Sequence, residues 1–229
     1  EVDAASNSID AWGTIWPKGL AEGARAWITA NMERGTVPEA HTSIALRLPA
    51  DPTAPVKVES VVGAFRVAGT TVHYLRPLEP VTGASGIGTF DGDRIAIKVN
   101  SGTLRGLKVE QGNLNFTRLD SNPSHIDVDL TVRGPLRDPL EVLDSPRFRY
   151  MQKLGIDPKA VEGQSLTRLV ISLPTLKDVK MSGVSLKVTS NLAGVASKNA
   201  MLGRDLTDGT NFRRARLGIG VGEPVRPRR

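Results

Sequence analysis

Apolar and polar residues alternate along much of this chain, and a period of two is the pattern of β-strands with one dry face and one wet face. The cleanest run is HIDVDLTVR, residues 125–133, in which every second residue is apolar. Comparable runs occur at residues 95–99, 169–173 and 184–188. We predict that the apolar members of these runs occupy the dry side of a sheet: Ile95, Ile97, Val99, Ile126, Val128, Leu130, Val132, Leu169, Ile171, Leu173, Val184, Leu186 and Val188.

Glycine and proline separate these runs and indicate turns. The chain has 23 Gly and 15 Pro, which fall between the runs instead of forming one low-complexity block. Asp91-Gly92-Asp93 is a hairpin signal between two alternating segments. Helical spacing occurs from Trp16 to about Met32 and in short pieces near residues 138–154. The pattern therefore predicts a mostly antiparallel β fold with a short N-terminal helix and a small helical insertion.

The same patterns divide the chain into three parts. Residues 1–15 are predicted to be an N-terminal extension, residues 16–210 a β segment, and residues 211–229 a basic tail rich in Gly, Arg and Pro. We expect the tail to be disordered, because it cannot bury enough apolar surface to order itself. Residues 213–229 contain six arginines and one glutamate, and so carry +5 of the formal charge of +6. The nearly neutral remainder gives no support for nucleic acid as a partner.

The predicted strands need a cover for their dry faces. Roughly ten amphipathic strands stand against only one full helix and two short ones, so the helices cannot cover the whole sheet. Closure into a barrel, folding into a two-sheet sandwich, pairing with neighbouring units of a longer protein, or an apolar ligand along the sheet would each supply the cover. Alternation alone does not choose among these four.

Reactive residues do not cluster in the sequence. Cysteine is absent, which excludes disulfides and thiolate metal sites. His41, His73 and His125 lie far apart and are predicted to be surface residues. Asp127 and Asp129 have a spacing that suits a cation, but polar alternation explains the pair equally well. No nucleophile elbow, phosphate-binding loop or zincin helix occurs, so we expect neither an enzyme nor a bound cofactor or metal.

All three tryptophans lie within the first 27 residues. Trp16 and Trp27 flank the predicted helix, and Trp12 precedes it. Such rings occur at lipid interfaces, but they more often anchor a helix onto a sheet, which is the interpretation that we favour. No run of 18 apolar residues is present, so no helical membrane span is predicted, and a membrane anchor would have to lie outside this sequence.

Four motifs together carry a family resemblance, and they cover about residues 15–209. They are WPKGLAEGARAWI at residues 16–28, YLRPLEPVTG at 74–83 with GTFDGD at 88–93, GPL at 134–136 with LEVL at 140–143 and LGIDP at 154–158, and LGRDLTDG at 202–209. Their combination is similar to the central region of YhdP-type proteins in the AsmA-like group of proteobacteria. That group is related to TamB and to bridge-like lipid transport proteins.

The resemblance implies a long curved antiparallel sheet with an apolar groove, a shape called a β-taco. It implies a segment of a longer periplasmic protein that continues into neighbouring β segments and is anchored in the inner membrane through a part outside this chain. The implied function is to shield phospholipid acyl chains during lipid transport between inner and outer membranes, in outer-membrane biogenesis. The thirteen dry-face residues become candidates for lining the groove, and no catalytic residue is implied. The alternative is a structural or interaction module that assists outer-membrane protein assembly through exposed sheet edges.

Overall fold

The structure is a computed structural model that describes residues 2–15, 22–51, 53, 56–121, 123–146, 148–176, 179, 183–201 and 204–206. Within these residues the chain forms one antiparallel sheet of eleven strands, with short helices beside it. The strands are β1 Val2–Ser8, β2 Met32–Glu33, β3 Thr36–Arg47, β4 Lys57–Val72, β5 Val81–Phe90, β6 Arg94–Leu104, β7 Leu107–Thr117, β8 His125–Pro135, β9 Val161–Pro174, β10 Ser185–Met201 and β11 Arg204–Leu206. The helices are α1 Trp12–Ile15, α2 Glu22–Asn31, α3 Arg137–Leu143 and α4 Tyr150–Leu154, with 3-10 turns at Ile9–Ala11 and Pro158–Ala160.

From β3 onwards, strands that are consecutive in the chain are neighbours in the sheet. The order is β1-β3-β4-β5-β6-β7-β8-β9-β10-β11, and β2 pairs with β4 in line with β3. All pairings are antiparallel, which short connections allow. Because β1 and β11 stand at opposite ends of this order, the described sheet is open and not a closed barrel.

The predicted hairpin at Asp91-Gly92-Asp93 connects β5 to β6. The Asp91 carboxylate accepts the backbone N–H groups of Asp93 and Arg94, at 3.0 and 2.8 Å. These hydrogen bonds favour the ionised form and lower the pKa of Asp91 from its ordinary value. The turn is therefore stabilised by its own first residue, as local Asp-to-backbone hydrogen bonds in turns generally are.

The helical insertion lies between β8 and β9 and consists of α3 and α4. Asp138 of α3 is buried, and its carboxylate accepts the backbone N–H of Gly106 at 3.0 Å. The N–H of Leu136 donates to the carbonyl of Gly163 at 3.0 Å. The insertion is thus tied both to the turn between β6 and β7 and to the start of β9.

The predicted fold class is confirmed: the chain is mostly β, with one long open antiparallel sheet, a short N-terminal helix and a small helical insertion. Helix α2 falls inside the predicted residues 16–32, of which residues 16–21 are not described. Val2–Ser8, within the predicted extension, form β1 and pair with β3. The predicted tail, residues 211–229, lies outside the described residues. No helix in the described part of the chain is both long and apolar enough to cross a bilayer.

Candidate functional site: the apolar face of the sheet

Strand pairing brings the predicted dry-face residues onto one face of the sheet, which we call the apolar face. Three rows of cross-strand partners run along it from β6 towards β10. Row one is Ile95, Phe116, Ile126 and Leu173; row two is Ile97, Leu114, Val128, Ile171 and Leu186; row three is Val99, Gly112, Leu130, Leu169 and Val188. Val132 lies beyond row three opposite Thr167, and Val184 immediately precedes β10.

The thirteen predicted residues differ in how far they are buried. Ile95, Ile126, Val132 and Val184 are buried. The other nine are half-buried, and none of the thirteen is fully exposed. Ile95 and Ile126 belong to a covered core cluster, whereas rows two and three keep part of their apolar surface open on β8, β9 and β10.

The helices at the N-terminal end of the chain cover part of the apolar face. Trp27 of α2 packs edge-on against Phe116, with ring centroids 5.2 Å apart. The ring centroid of Trp12 in α1 lies 6.3 Å from that of Phe65 on β4. Leu119 is buried in the same cluster as Phe116. The predicted anchoring role is confirmed for Trp12 and Trp27, and Trp16 lies outside the described residues.

Sequence reasoning missed the aromatic part of this face. Phe65 lies opposite Gly88, and a Cβ atom on that glycine would stand 2.2 Å from Cζ of Phe65. Phe90 lies opposite Gly63 in the same way, at 2.4 Å. Each ring therefore occupies the space left by the glycine of the neighbouring strand. The sequence contains a Gly-x-Phe motif at residues 63–65 and again at residues 88–90. In an antiparallel pair of strands the glycine of each motif can lie opposite the phenylalanine of the other, so this repeat is the pattern that predicts the packing.

The opposite face of the sheet is polar, and ion pairs across neighbouring strands join several of its charged residues. Arg168 on β9 donates to both carboxylate oxygens of Asp129 on β8, at 2.9 and 2.5 Å. These hydrogen bonds lower the pKa of Asp129 from its ordinary value. Arg133 donates to Glu110 at 2.7 Å. Such exposed pairs contribute little stability, but they keep this face hydrated.

The residues considered for metal binding are occupied by other partners. Asp129 is paired with Arg168, and Asp127 lies 3.5 Å from Nε2 of His125. His41 lies 2.9 Å from Glu39, and His73 lies 3.1 Å from Glu33. Across the described ranges, no group of three or more potential metal ligands is present.

A shallow depression of about 510 Å³ also lies on the polar face, across β3 to β6. Its lining includes the small residues Ala64, Thr89 and Ala96 together with Arg94 and Asp91. Asp91 already accepts the two backbone hydrogen bonds of the hairpin turn. None of the thirteen predicted residues lines this depression, so it does not coincide with the candidate site.

Comparisons with protein-family models, with curated proteins and with solved structures find no match to this chain. Function is therefore inferred from the geometry of the apolar face and from the motifs in the sequence.

Proposed function

We propose that the apolar face shields phospholipid acyl chains. In this proposal the chain is one segment of an AsmA-like periplasmic protein that moves lipid between inner and outer membranes, and it joins neighbouring β segments and an inner-membrane anchor outside this sequence. The observation that carries the proposal is a continuous apolar surface that stays half-open on three adjacent strands. Its members are Val128, Leu130, Leu169, Ile171, Leu186 and Val188.

The half-open part of this surface suits a section of a hydrocarbon chain. Row two also continues through Ile97 to Gly88, Phe65 and Ala40, but the helices cover that part of the row. At about 4.8 Å between strands, the half-open part on β8, β9 and β10 is about 10 Å across. Each CH₂ group removed from water contributes about 0.8 kcal/mol. Because that gain is spread over many weak contacts, an acyl chain is held without being trapped at one place.

The polar face of the sheet is unsuited to acyl chains, so the proposed function belongs to the apolar face alone. The ion pairs of Asp129 with Arg168 and of Glu110 with Arg133 lie on the face away from row two. Charged side chains stay hydrated and paired with one another, so this part of the face offers an acyl chain no apolar contact. Lipid would therefore occupy one face only, with its headgroup in water at the margin of the sheet.

Two adjacent residues on β9 provide a matched test. Ile171 lies in row two, whereas Val170 is 37% exposed on the polar face, opposite Asp129. Each is changed to asparagine, and binding of dansyl-labelled undecanoic acid is measured by fluorescence titration in vesicle-free buffer. We expect Ile171→Asn to weaken binding about tenfold, because the amide must be desolvated without a hydrogen-bond partner. Val170→Asn is expected to bind like the parent protein.

Equal binding by the parent and both variants would contradict the proposal, as would a parent protein that does not bind the probe. Thermal melts of the three proteins supply the remaining control. If Ile171→Asn is unfolded while Val170→Asn is folded, Ile171 belongs to a self-packed core and not to a lipid surface.

A second candidate function is an interaction module that recruits another protein through a sheet edge. It is favoured by the open ends of the sheet, since β1 pairs only with β3 among the described strands. An unpaired edge offers backbone groups to an added strand. This candidate predicts that none of the three proteins binds the labelled fatty acid.

A further inference from the structure

β3 and β4 extend past the rest of the sheet as a two-stranded ribbon, formed by residues 43–47 and 57–62. The pairing of β4 with β5 begins at Gly63↔Phe90, and that of β1 with β3 begins at Val2↔Thr42. Residues of the ribbon therefore pair only with each other among the described strands, from Ser43↔Val62 to Arg47↔Lys57.

One side of the ribbon is apolar and exposed. Ile44 pairs with Val61, and Leu46 pairs with Val58, on the side that continues the apolar face. Val61, at the base of the ribbon, is buried, whereas Leu46 is 54% exposed. Leu48, just past the ribbon, is 75% exposed. The ribbon therefore extends the apolar face outwards as a stripe of side chains in water.

The other side of the ribbon is polar and close to neutral. Arg47 and Glu59 form an ion pair at 2.5 Å. Val62 is the exposed apolar residue on this side, and its pairing with Ser43 places it on the face opposite Ile44 and Val61. The ribbon is thus amphipathic across its thickness, and its charged residues, Arg47, Lys57 and Glu59, sum to a net charge of +1.

The size of the stripe favours a lipid surface over a second protein. The exposed apolar residues of the ribbon and its ends, each 38% to 75% exposed, are Ile44, Leu46, Leu48, Val56 and Val58. A stable protein interface takes about 20 to 30 residues from each partner, several times this number. Pro49, which lies just past the ribbon strand of β3, has no backbone N–H to donate to an added strand. A bilayer surface accepts a small amphipathic patch without shape matching.

We propose that the ribbon inserts its apolar side into the surface of a phospholipid bilayer. This contact rests on the ribbon itself and does not depend on the proposed function. A zwitterionic bilayer is sufficient for this contact, because the ribbon carries a net charge of only +1 from Arg47, Lys57 and Glu59.

The absence of cysteine allows a label to be placed on each side of the ribbon separately. Leu48→Cys and Val62→Cys variants are labelled with an environment-sensitive nitrobenzoxadiazole group, and phosphatidylcholine vesicles are added. We expect the emission at Leu48→Cys to shift to shorter wavelength and to increase about twofold or more, because hydrocarbon contact removes water from the label. The label at Val62→Cys, 47% exposed on the polar side, is expected to change little.

A double variant, Leu46→Asp with Leu48→Asp, tests the contact without a label. We expect it to lose at least four-fifths of its co-flotation with the same vesicles, while Val62→Asp floats like the parent protein. Both changes are at exposed positions, and thermal melts verify that the variants are folded. The double variant should still bind dansyl-labelled undecanoic acid in vesicle-free buffer.

Three results would overturn this inference: no response of the Leu48 label to vesicles, equal responses at both label positions, or a response that appears without vesicles and grows with protein concentration. The last, together with a dimer in sedimentation, would assign the ribbon to a second copy of the chain. If none of the proteins binds the labelled fatty acid while the Leu48 label still responds to vesicles, the proposed function is contradicted and the bilayer contact stands.

Discussion

At the scale of single residues, Tyr74 is the side chain whose titration the fold changes most clearly. It lies between β4 and β5, where burial, followed by the charge of Glu79, raises its pKa to about 12. Because the fold disfavours the ionised form of Tyr74, this side chain contributes to the free energy of unfolding. The contribution is fully present below about pH 10, the pKa of tyrosine in the unfolded chain. That contribution is lost as the pH rises from about 10 through 12.

Tyr74 and Tyr150 are the two tyrosines of the chain, so Tyr150→Phe isolates the first of them. We expect the tyrosinate absorbance of this variant to rise with a midpoint near pH 12. The same variant in urea should give a midpoint near 10. Circular dichroism during the titration reports whether the protein is still folded, and a midpoint near 10 in the folded protein would contradict the described burial.

Single residues also show where sequence reasoning stops. Ile126 and Leu46 have the same type of alternating context, yet the first is buried and the second is exposed. The difference comes from what packs over each residue, because Ile126 lies in the cluster of Phe116 and Leu119, whereas Leu46 lies on the ribbon outside that cluster. Alternation identifies the face on which a side chain lies, but not what covers that face.

At the scale of elements, α2 covers the sheet through one aromatic contact that can be tested directly. We expect Trp27→Ala to lower the free energy of unfolding by about 2 kcal/mol, because a half-buried ring loses its packing on Phe116. Trp27→Phe, which retains a ring, is expected to lose less than half as much. Urea denaturation measures both changes. If Trp27→Ala is as stable as the parent protein, the packing of α2 on Phe116 does not stabilise the fold.

The elements divide into those that the sequence predicts and those that it does not. The strand at residues 125–133, the hairpin at Asp91-Gly92-Asp93 and the helical insertion follow from local pattern and are present as β8, β5–β6 and α3–α4. The pairing of β1 with β3 was not predicted, because VDAASNS does not alternate and the pairing is long-range. The alignment of rows one to three likewise depends on register between strands, which alternation leaves open.

The whole molecule, across its described residues, is an open sheet in which helices cover only part of one face. The structure decides against a closed barrel for the described strands, and it shows α1 and α2 covering the side of the sheet that contains Phe65 and Phe116. The part of the apolar face on β8, β9 and β10 keeps its surface half-open. We propose that acyl chains occupy that surface and that the exposed ribbon contacts a phospholipid bilayer.

The most direct test of this account is organic extraction and mass spectrometry of the detergent-free protein, beside a soluble β protein of similar size prepared from the same cells. The account predicts phospholipid in the protein well above the amount in the control, and a clear reduction in the Ile171→Asn variant but not in Val170→Asn. Phospholipid at the level of the control, in a protein that is folded, would contradict the claim that the apolar face holds lipid.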